Sequence, residues 1–171
     1  TTQSSVYVLE LGKSPQKLTD DSIRPHANGA GFSVTAGSPS MSWPESGVGI
    51  VFGADSKGQS HVAIANPDSP GDVRLVSDGW SITELAISSQ AGFAVVAASS
   101  PTSHGELFLI DLNSGDVHTT THLNSRFFDN HDVAGLEKFT IDNGGFEIES
   151  RVWFPADFDP AKKYPLLLDI H

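Results

Sequence analysis

Between residues 41 and 121 the chain holds two successive sets of four short strand-like segments. The segments are rich in Val, Ile, Leu and Phe, and they are separated by Gly, Pro, Asp, Asn and Ser, which favour turns. The first set covers residues 41–43, 48–52, 61–65 and 73–76, and the second covers residues 82–87, 93–97, 106–111 and 117–121. This pattern predicts an all-β fold.

The two sets align with each other at a spacing of about 45 residues. The aligned pairs lie 44 to 46 residues apart and are Gly47 with Gly92, Ile64 with Ile110, and Gly71 with Gly115. Four short strands per unit at this spacing are typical of β-propeller blades, which bury both faces of their sheets only against neighbouring blades. We therefore predict two propeller blades.

The sequence before residue 41 contains part of a further blade. Residues 6–11 and 16–19 are strand-like and flank Gly12, as the two outer strands of a blade would. Residues 19–40 are rich in Gly, Ser and Pro, and they either hold one more strand near residues 31–35 or form a loop. Because a closed propeller has roughly four to eight blades, we expect a longer parent protein or another chain to complete the ring.

The composition excludes several classes of partner. The formal net charge of −11, with only ten Lys plus Arg, excludes DNA and RNA as main partners, because nucleic acids bind clustered cations. No run approaches the ~18 apolar residues that span a bilayer, so we predict a soluble protein without a membrane partner. The absence of Cys fits a cytoplasmic chain as well as a Cys-free secreted or periplasmic one, and we favour the cytoplasm slightly.

The character of the sequence changes after Asn124. A polar linker, residues 126–132, is followed by strand-like residues 137–141 and 146–154. The Asn-Gly pair at residues 143–144 is a strong hairpin signal, because both residue types tolerate positive φ. A turn rich in Pro and Asp then leads into residues 166–170, a near-continuous apolar run typical of a strand buried on both faces.

Residues 154–171 read Phe-Pro-Ala-Asp-Phe-Asp-Pro-Ala-Lys-Lys-Tyr-Pro-Leu-Leu-Leu-Asp-Ile-His. After propeller repeats and a hairpin, this segment resembles the junction between propeller and hydrolase domain in serine peptidases of the prolyl oligopeptidase family, in particular the acylaminoacyl and dipeptidyl peptidase branches. The resemblance implies a partial propeller at residues 1–130, made of the end of one blade and two whole blades. Residues 131–171 would be the linker and the N-terminal strands of a truncated α/β-hydrolase domain.

The resemblance also implies that this chain carries none of the catalytic residues. The nucleophile of an α/β-hydrolase needs Gly-x-Ser-x-Gly, and its Asp and His follow later in the chain. The nearest approach reads Gly-Trp-Ser-Ile-Thr from Gly79 and lacks the second Gly, so we interpret Ser81 as an ordinary turn residue in a loop between blades. His171 would begin the loop that supplies a backbone N–H to the oxyanion hole, an indirect role, or would simply end its strand.

The sequence predicts no cofactor and no metal site. His118 and His122 are four residues apart, but the three Thr residues between them favour a strand, in which the two Cα atoms would lie ~13 Å apart. The Asp residues mostly neighbour turn-forming residues and do not follow the spacing of a calcium loop.

Two functions from different classes fit these features. In the first, the chain is the non-catalytic portion of a serine peptidase that hydrolyses short peptides, and its propeller limits access of larger substrates. In the second, it is a propeller module similar to TolB-like proteins, which binds a partner without catalysis. The expected partners are a short peptide substrate of the parent enzyme, and either the remainder of that enzyme or a second copy of this chain covering residues 166–170.

Overall fold

The computed structural model describes residues 4–25, 41–77, 81–100 and 103–170. These residues are nearly all β, and every strand pair is antiparallel. The elements are β1 (Tyr7–Val8), β2 (Gln16–Lys17), β3 (Arg24–Pro25), β4 (Met41–Ser42), β5 (Ile50–Ser56), β6 (Gln59–Ala65), β7 (Val73–Leu75), β8 (Ser81–Ile87), β9 (Phe93–Ser100), β10 (Ser103–Asp111), β11 (Val117–Thr119), α1 (Ser125–Asp129), β12 (Gly135–Asn143) and β13 (Phe146–Phe154). The predicted all-β class is confirmed.

Two meandering sheets occupy the centre of the chain. In the first sheet, β5, β6 and β7 pair in order, and both β3 and β4 pair with the outer edge of β5. In the second sheet the order is β8, β9, β10, β11. All eight strands predicted between residues 41 and 121 are present. None of the sheets formed by the described residues closes on itself, so the propeller stays a proposal.

The two sheets repeat the same turn chemistry. In the turn between β6 and β7 the carboxamide oxygen of Asn66 accepts the N–H of Asp68 at 3.0 Å, and in the turn between β10 and β11 the carboxylate of Asp111 accepts the N–H of Asn113 at 2.8 Å. Gly71 and Gly115, near the ends of these turns, have φ of 85° and 82°. Such Asx turns with positive-φ glycines account for the Gly and Asp spacing in the sequence.

The strand register corrects one aligned pair. Ile50 pairs with Ala65 in the first sheet, whereas Ala94 pairs with Ile110 in the second. Ala65 is therefore the structural equivalent of Ile110, and aligning Ile64 with Ile110 was wrong by one residue. The alignment compared residue types alone, and a one-residue slip places a side chain on the opposite face of its sheet.

The sheets stack face to face. We call the side of the first sheet that carries Val51, Val62 and Ile64 its front face, the opposite side its back face, and the equivalent sides of the other sheets by the same names. The front face of the first sheet packs against the back face of the second sheet, which carries Val96 and Ile110 among other buried residues. These two faces form one apolar core, and burial of such side chains is the main stabilising contribution to a fold of this kind.

A third, N-terminal sheet of β1 and β2 covers the back face of the first sheet. Val6 and Leu18 are 1% exposed and pack with Ile50 and Phe52 of the first sheet. The carbonyl oxygen of Val6 accepts the N–H of Leu18 at 2.8 Å, as that of Val62 accepts the N–H of Val76. β1 and β2 are thus the equivalents of β6 and β7.

A two-stranded hairpin, β12 and β13, follows the short helix α1. The predicted hairpin is confirmed, but its two-residue turn consists of Gly144 and Gly145, with φ of 66° and 89°, one position beyond the Asn-Gly pair. The guanidinium of Arg151 donates to the carbonyl oxygen of Gly58 at 2.5 Å and so joins the hairpin to the first sheet. No sequence pattern predicted α1, and the domain boundary at residue 130 stays a prediction.

Residues 166–170 do not form the strand that we expected. Their large apolar side chains are strongly exposed, at 83% for Leu166, 92% for Leu167, 75% for Leu168 and 84% for Ile170. A strand buried on both faces needs neighbouring strands and covering layers, and no described residue provides them. The described part of the chain also contains no parallel sheet. None of its helices is long and apolar enough to cross a membrane.

Candidate functional site

The point where the chain leaves the second sheet is built around a buried carboxylate. Glu106 lies in β10, is only 3% exposed and accepts three hydrogen bonds. The Thr121 hydroxyl donates to it at 2.6 Å, the N–H of Leu123 at 2.9 Å and the N–H of Asn124 at 2.8 Å. We call these four residues the exit site, because they fix the segment that runs from β11 into α1.

The exit site favours the ionised form of Glu106. The hydrogen bond from the Thr121 hydroxyl has the largest effect in lowering the pKa of the Glu106 carboxyl, and the N–H groups of Asn124 and Leu123 act in the same direction. The three donors stabilise the negative charge of the carboxylate, and its burial keeps it from a substrate. The chemistry of this arrangement is therefore positioning rather than proton transfer.

Parts of the same arrangement recur in all three stacked sheets. The Thr121 hydroxyl accepts the N–H of Leu107 at 2.9 Å, the Ser77 hydroxyl accepts that of Val62 at 2.8 Å, and the Thr19 hydroxyl accepts that of Val6 at 3.1 Å. This series of hydroxyl acceptors was not predicted from the sequence. One sequence feature could have predicted it: Ser77 and Thr121 lie 44 residues apart, which is also the spacing of the two Gly-Asp-Val tripeptides.

The first sheet places His61 where the second sheet has Glu106, 45 residues later. The imidazole Nδ1 lies 2.5 Å from the Ser77 carbonyl oxygen, and Nε2 lies 3.3 Å from the carbonyl oxygen of Ser56. His61 thus contacts the backbone of Ser77 rather than its hydroxyl, and both residues are buried. A nucleophilic serine needs its hydroxyl bound to a base and open to substrate, so this pair is structural.

The predicted site residues are scattered or outside the described residues. His171 lies outside the described residues, so its place beside an oxyanion hole stays a prediction. Gly79 and Trp80 also lie outside the described residues. Ser81 is the first residue of β8 and pairs with Ser99, so its assignment to a loop was wrong. His118 lies in β11, and His122 follows that strand. Within the described ranges no group of three or more His, Asp or Glu residues could hold a metal ion.

We expect the exit site to make stability depend on pH. The folded-state pKa of Glu106 lies below its ordinary value of 4.5. The ionised carboxylate therefore adds to the free energy of unfolding at neutral pH, and this contribution is lost as the pH falls through the folded-state pKa. Glu106→Gln should lower Tm by about 5 °C at pH 7, because the amide cannot accept all three hydrogen bonds, and by less at pH 3. Thermal unfolding from pH 3 to 7 measures this difference.

The matched control for this measurement is Glu147→Gln. Glu147 lies on the exposed surface of β13, and its substitution should leave Tm nearly unchanged at every pH. A fall in Tm of Glu106→Gln that is equally large at pH 3 and pH 7 would show that the ionised carboxylate is not what fixes the segment.

Comparison with known proteins relates the stacked sheets and the hairpin to peptidases. No family model and no curated relative matches the chain. Among solved structures, a variant of AtxE2 isopeptidase with an Astexin3 ligand bound is similar over 94% of this chain and 23% of its own, with a TM-score of 0.61 and 12% identity. The chain has a peptidase-like fold.

A second solved structure with this fold is a puromycin-hydrolyzing peptidase of Mycobacterium tuberculosis. The similarity covers 86% of this chain and 22% of that one, with a TM-score of 0.54 and 15% identity. The chain thus spans less than a quarter of the length of either peptidase. At these identities the likeness concerns the fold alone, because one fold carries many functions.

Proposed function

We propose that the chain is the non-catalytic portion of a serine peptidase of the prolyl oligopeptidase type, of the acylaminoacyl or dipeptidyl peptidase branch. The observation that carries the proposal is the likeness of 94% of the chain to an isopeptidase and of 86% to a second peptidase. The stacked sheets would be blades of a propeller, and residues 131–171 would open an α/β-hydrolase domain.

The exposed apolar run supports this assignment. Leu166, Leu167, Leu168 and Ile170 are all at least 75% exposed, which leaves unburied apolar surface of the kind that proteins bury in a core or an interface. An inner strand of a hydrolase sheet has this composition, because helices cover both faces of such a sheet. His171 would then start the loop after this strand.

In the proposed enzyme the reacting groups lie in the remainder of the polypeptide. A Ser would attack the peptide carbonyl, a His would act first as base and then as acid, and an Asp would orient the His. The blades of this chain would limit access, so that short peptides enter and folded proteins do not. The partners of the chain would be the remainder of the enzyme and, through it, a short peptide substrate.

Covalent labelling by a fluorophosphonate tests this proposal. The full-length protein that contains this chain should be labelled at one Ser outside residues 1–171 and should hydrolyse peptides of a few residues but not a folded protein. The 171-residue chain alone should not be labelled. Labelling at a Ser within residues 1–171, or a full-length protein with neither labelling nor hydrolysis, would contradict the proposal.

The alternative is a TolB-like binding module without catalysis. It is kept because the two peptidases are only 12% and 15% identical to this chain, and at such identity one fold carries binding as well as catalytic functions. The sequence that follows His171 in the gene separates the two functions. For the peptidase we expect Gly-Gly-Pro there, and for the binding module we do not.

A further inference from the structure

The tip of the hairpin carries an Asn-Gly pair that is open to solvent. Asn143 is the last residue of β12, and Gly144 is the first residue of the turn that follows. Both residues are exposed, and a Cβ added to Gly144 would meet nothing within 4 Å. A carboxamide side chain therefore lies beside a backbone N–H that no side chain shields.

The two groups that can react with each other at this tip are not held by hydrogen bonds. In the part of the chain that the structure describes, neither the Asn143 carboxamide nor the N–H of Gly144 has a hydrogen-bond partner. The next N–H, that of Gly145, donates to the carboxylate of Asp142 at 3.0 Å. Pairing of Asn143 with Phe146 closes the strand ladder and leaves Gly144 outside it. Both groups are thus free to approach each other.

Asn113, in the turn between β10 and β11, is the matched comparison. It is also exposed, but the N–H that follows it, that of Ser114, donates to the carboxylate of Asp111 at 3.1 Å. Hydrogen bonds to a charged acceptor are stronger than those between neutral groups. The N–H of Ser114 would have to leave this acceptor before it could react.

The other three Asn residues that the structure describes each lack one of the two free groups. The carboxamides of Asn124 and Asn130 donate to backbone carbonyl oxygens. Asn66 precedes Pro67, which has no backbone N–H. Among the described Asn residues, Asn143 is therefore the one at which both groups are free.

The hairpin tip has little to hold it closed. Asp142 and Glu147 are paired directly across the two strands, and like charges in that arrangement destabilise a strand pair. Phe146, which closes the ladder with Asn143, is 76% exposed and so contributes little burial. Strand ends with few buried apolar contacts open at a low cost in free energy. In the open form the backbone of Asn143 can rotate and bring the Gly144 nitrogen to the carboxamide.

We propose that Asn143 is a site of spontaneous covalent modification, in which the backbone of Gly144 is the nucleophile. The Gly144 nitrogen loses its proton to solvent and bonds to Cγ of Asn143, the bond from Cγ to Nδ2 breaks, and ammonia leaves. The product is a five-membered succinimide ring. Water then opens the ring at one of its two carbonyl carbons and gives aspartate or isoaspartate. The complete reaction consumes one water and releases one ammonia.

Either product changes the hairpin tip. Aspartate adds a carboxylate beside Asp142 and Glu147, which increases the repulsion between like charges there. Isoaspartate also routes the main chain through the side-chain methylene, which adds one backbone atom and breaks the register of Asn143 with Phe146. The modification therefore loosens the hairpin as the protein ages. It needs no enzyme and no catalytic Ser, so it is independent of the proposed function.

Peptide mapping of the full-length protein during incubation at neutral pH tests this inference. Trypsin cleaves after Lys138 and Arg151, and the peptide between them holds Asn143 as its only Asn. We expect this peptide to gain about 1 Da, because a carboxyl group replaces the amide. The gain should appear at least about tenfold faster than at Asn113, because the N–H of Ser114 must first give up its charged acceptor.

The products and one variant distinguish this route from direct hydrolysis of the amide. A succinimide gives isoaspartate as well as aspartate, and a protein isoaspartyl methyltransferase labels isoaspartate with a methyl group. Asn143→Gln should lose the gain in mass, because its longer side chain cannot close a five-membered ring. The other Asn-Gly pair of the sequence, at residues 28–29, lies outside the described residues and in a different tryptic peptide.

Four results would overturn the proposal. They are no gain in mass at Asn143, a gain no faster than at Asn113, aspartate without isoaspartate, and an equally fast gain in Asn143→Gln.

Discussion

Phe52→Ala should lower the free energy of unfolding by about 4 kcal/mol. Phe52 is 1% exposed and packs between the N-terminal sheet and the first sheet, against Val6, Leu18 and Ile23. The backbone of both sheets is fixed by hydrogen bonds, so the core cannot close over the space that the ring leaves. The lost stability therefore has two parts: the free energy gained by moving the ring from water into the core, and the cost of the cavity that its removal leaves. Urea unfolding of the purified protein measures it.

The control for this prediction is Phe146→Ala. Phe146 follows the hairpin turn and is 76% exposed, so its removal should change the free energy of unfolding by less than about 0.5 kcal/mol. If both variants lost the same stability, Phe52 would not lie in a packed core and the stacking of the N-terminal sheet on the first sheet would be wrong.

Gly49→Ala should destabilise the protein by about 3 kcal/mol. Gly49 has a φ of 116°, which side-chain-bearing residues rarely adopt, and a Cβ there would lie 2.6 Å from the carbonyl oxygen of Ala65. Ala65 cannot move away easily, because it pairs with Ile50 in the centre of the first sheet. Backbone strain and steric overlap therefore add at this position. A urea unfolding curve gives the value.

Gly12→Ala separates the two contributions. Gly12 also has a positive φ, 85°, but a Cβ there would meet nothing within 4 Å. Its substitution should lower the free energy of unfolding by only about 1 kcal/mol, the effect of strain alone. Equal effects at Gly12 and Gly49 would mean that β5 and β6 do not approach as closely as described.

The sequence predicted the two central sheets well because their strands are short apolar runs between turn residues. It placed the end of β5 at Phe52, whereas the strand continues to Ser56. Residues 53–56 have low strand propensity, but a tight turn at Lys57 and Gly58, with φ of 48° and 63°, pairs them with β6. Pairing with a neighbouring strand outweighs propensity, and a pattern within one segment does not contain this information.

The exit site could not be predicted from periodicity. Glu106 appeared as one charged residue at the start of a strand, a position that is usually exposed to solvent. Its partners lie 15 to 18 residues later and meet it only after β11 has paired with β10. Residues 166–170 have the composition of a buried strand, but composition does not reveal which residues provide the cover, and the described residues provide none.

Hydrogen exchange at residues 166–170 tests most directly whether this chain continues into a hydrolase domain. In the 171-residue chain these backbone N–H groups belong to no strand, and we expect them to exchange within seconds. In the full-length protein they should exchange at least about 1000-fold more slowly, because an inner strand is paired on both edges. Rapid exchange in the full-length protein would contradict the account.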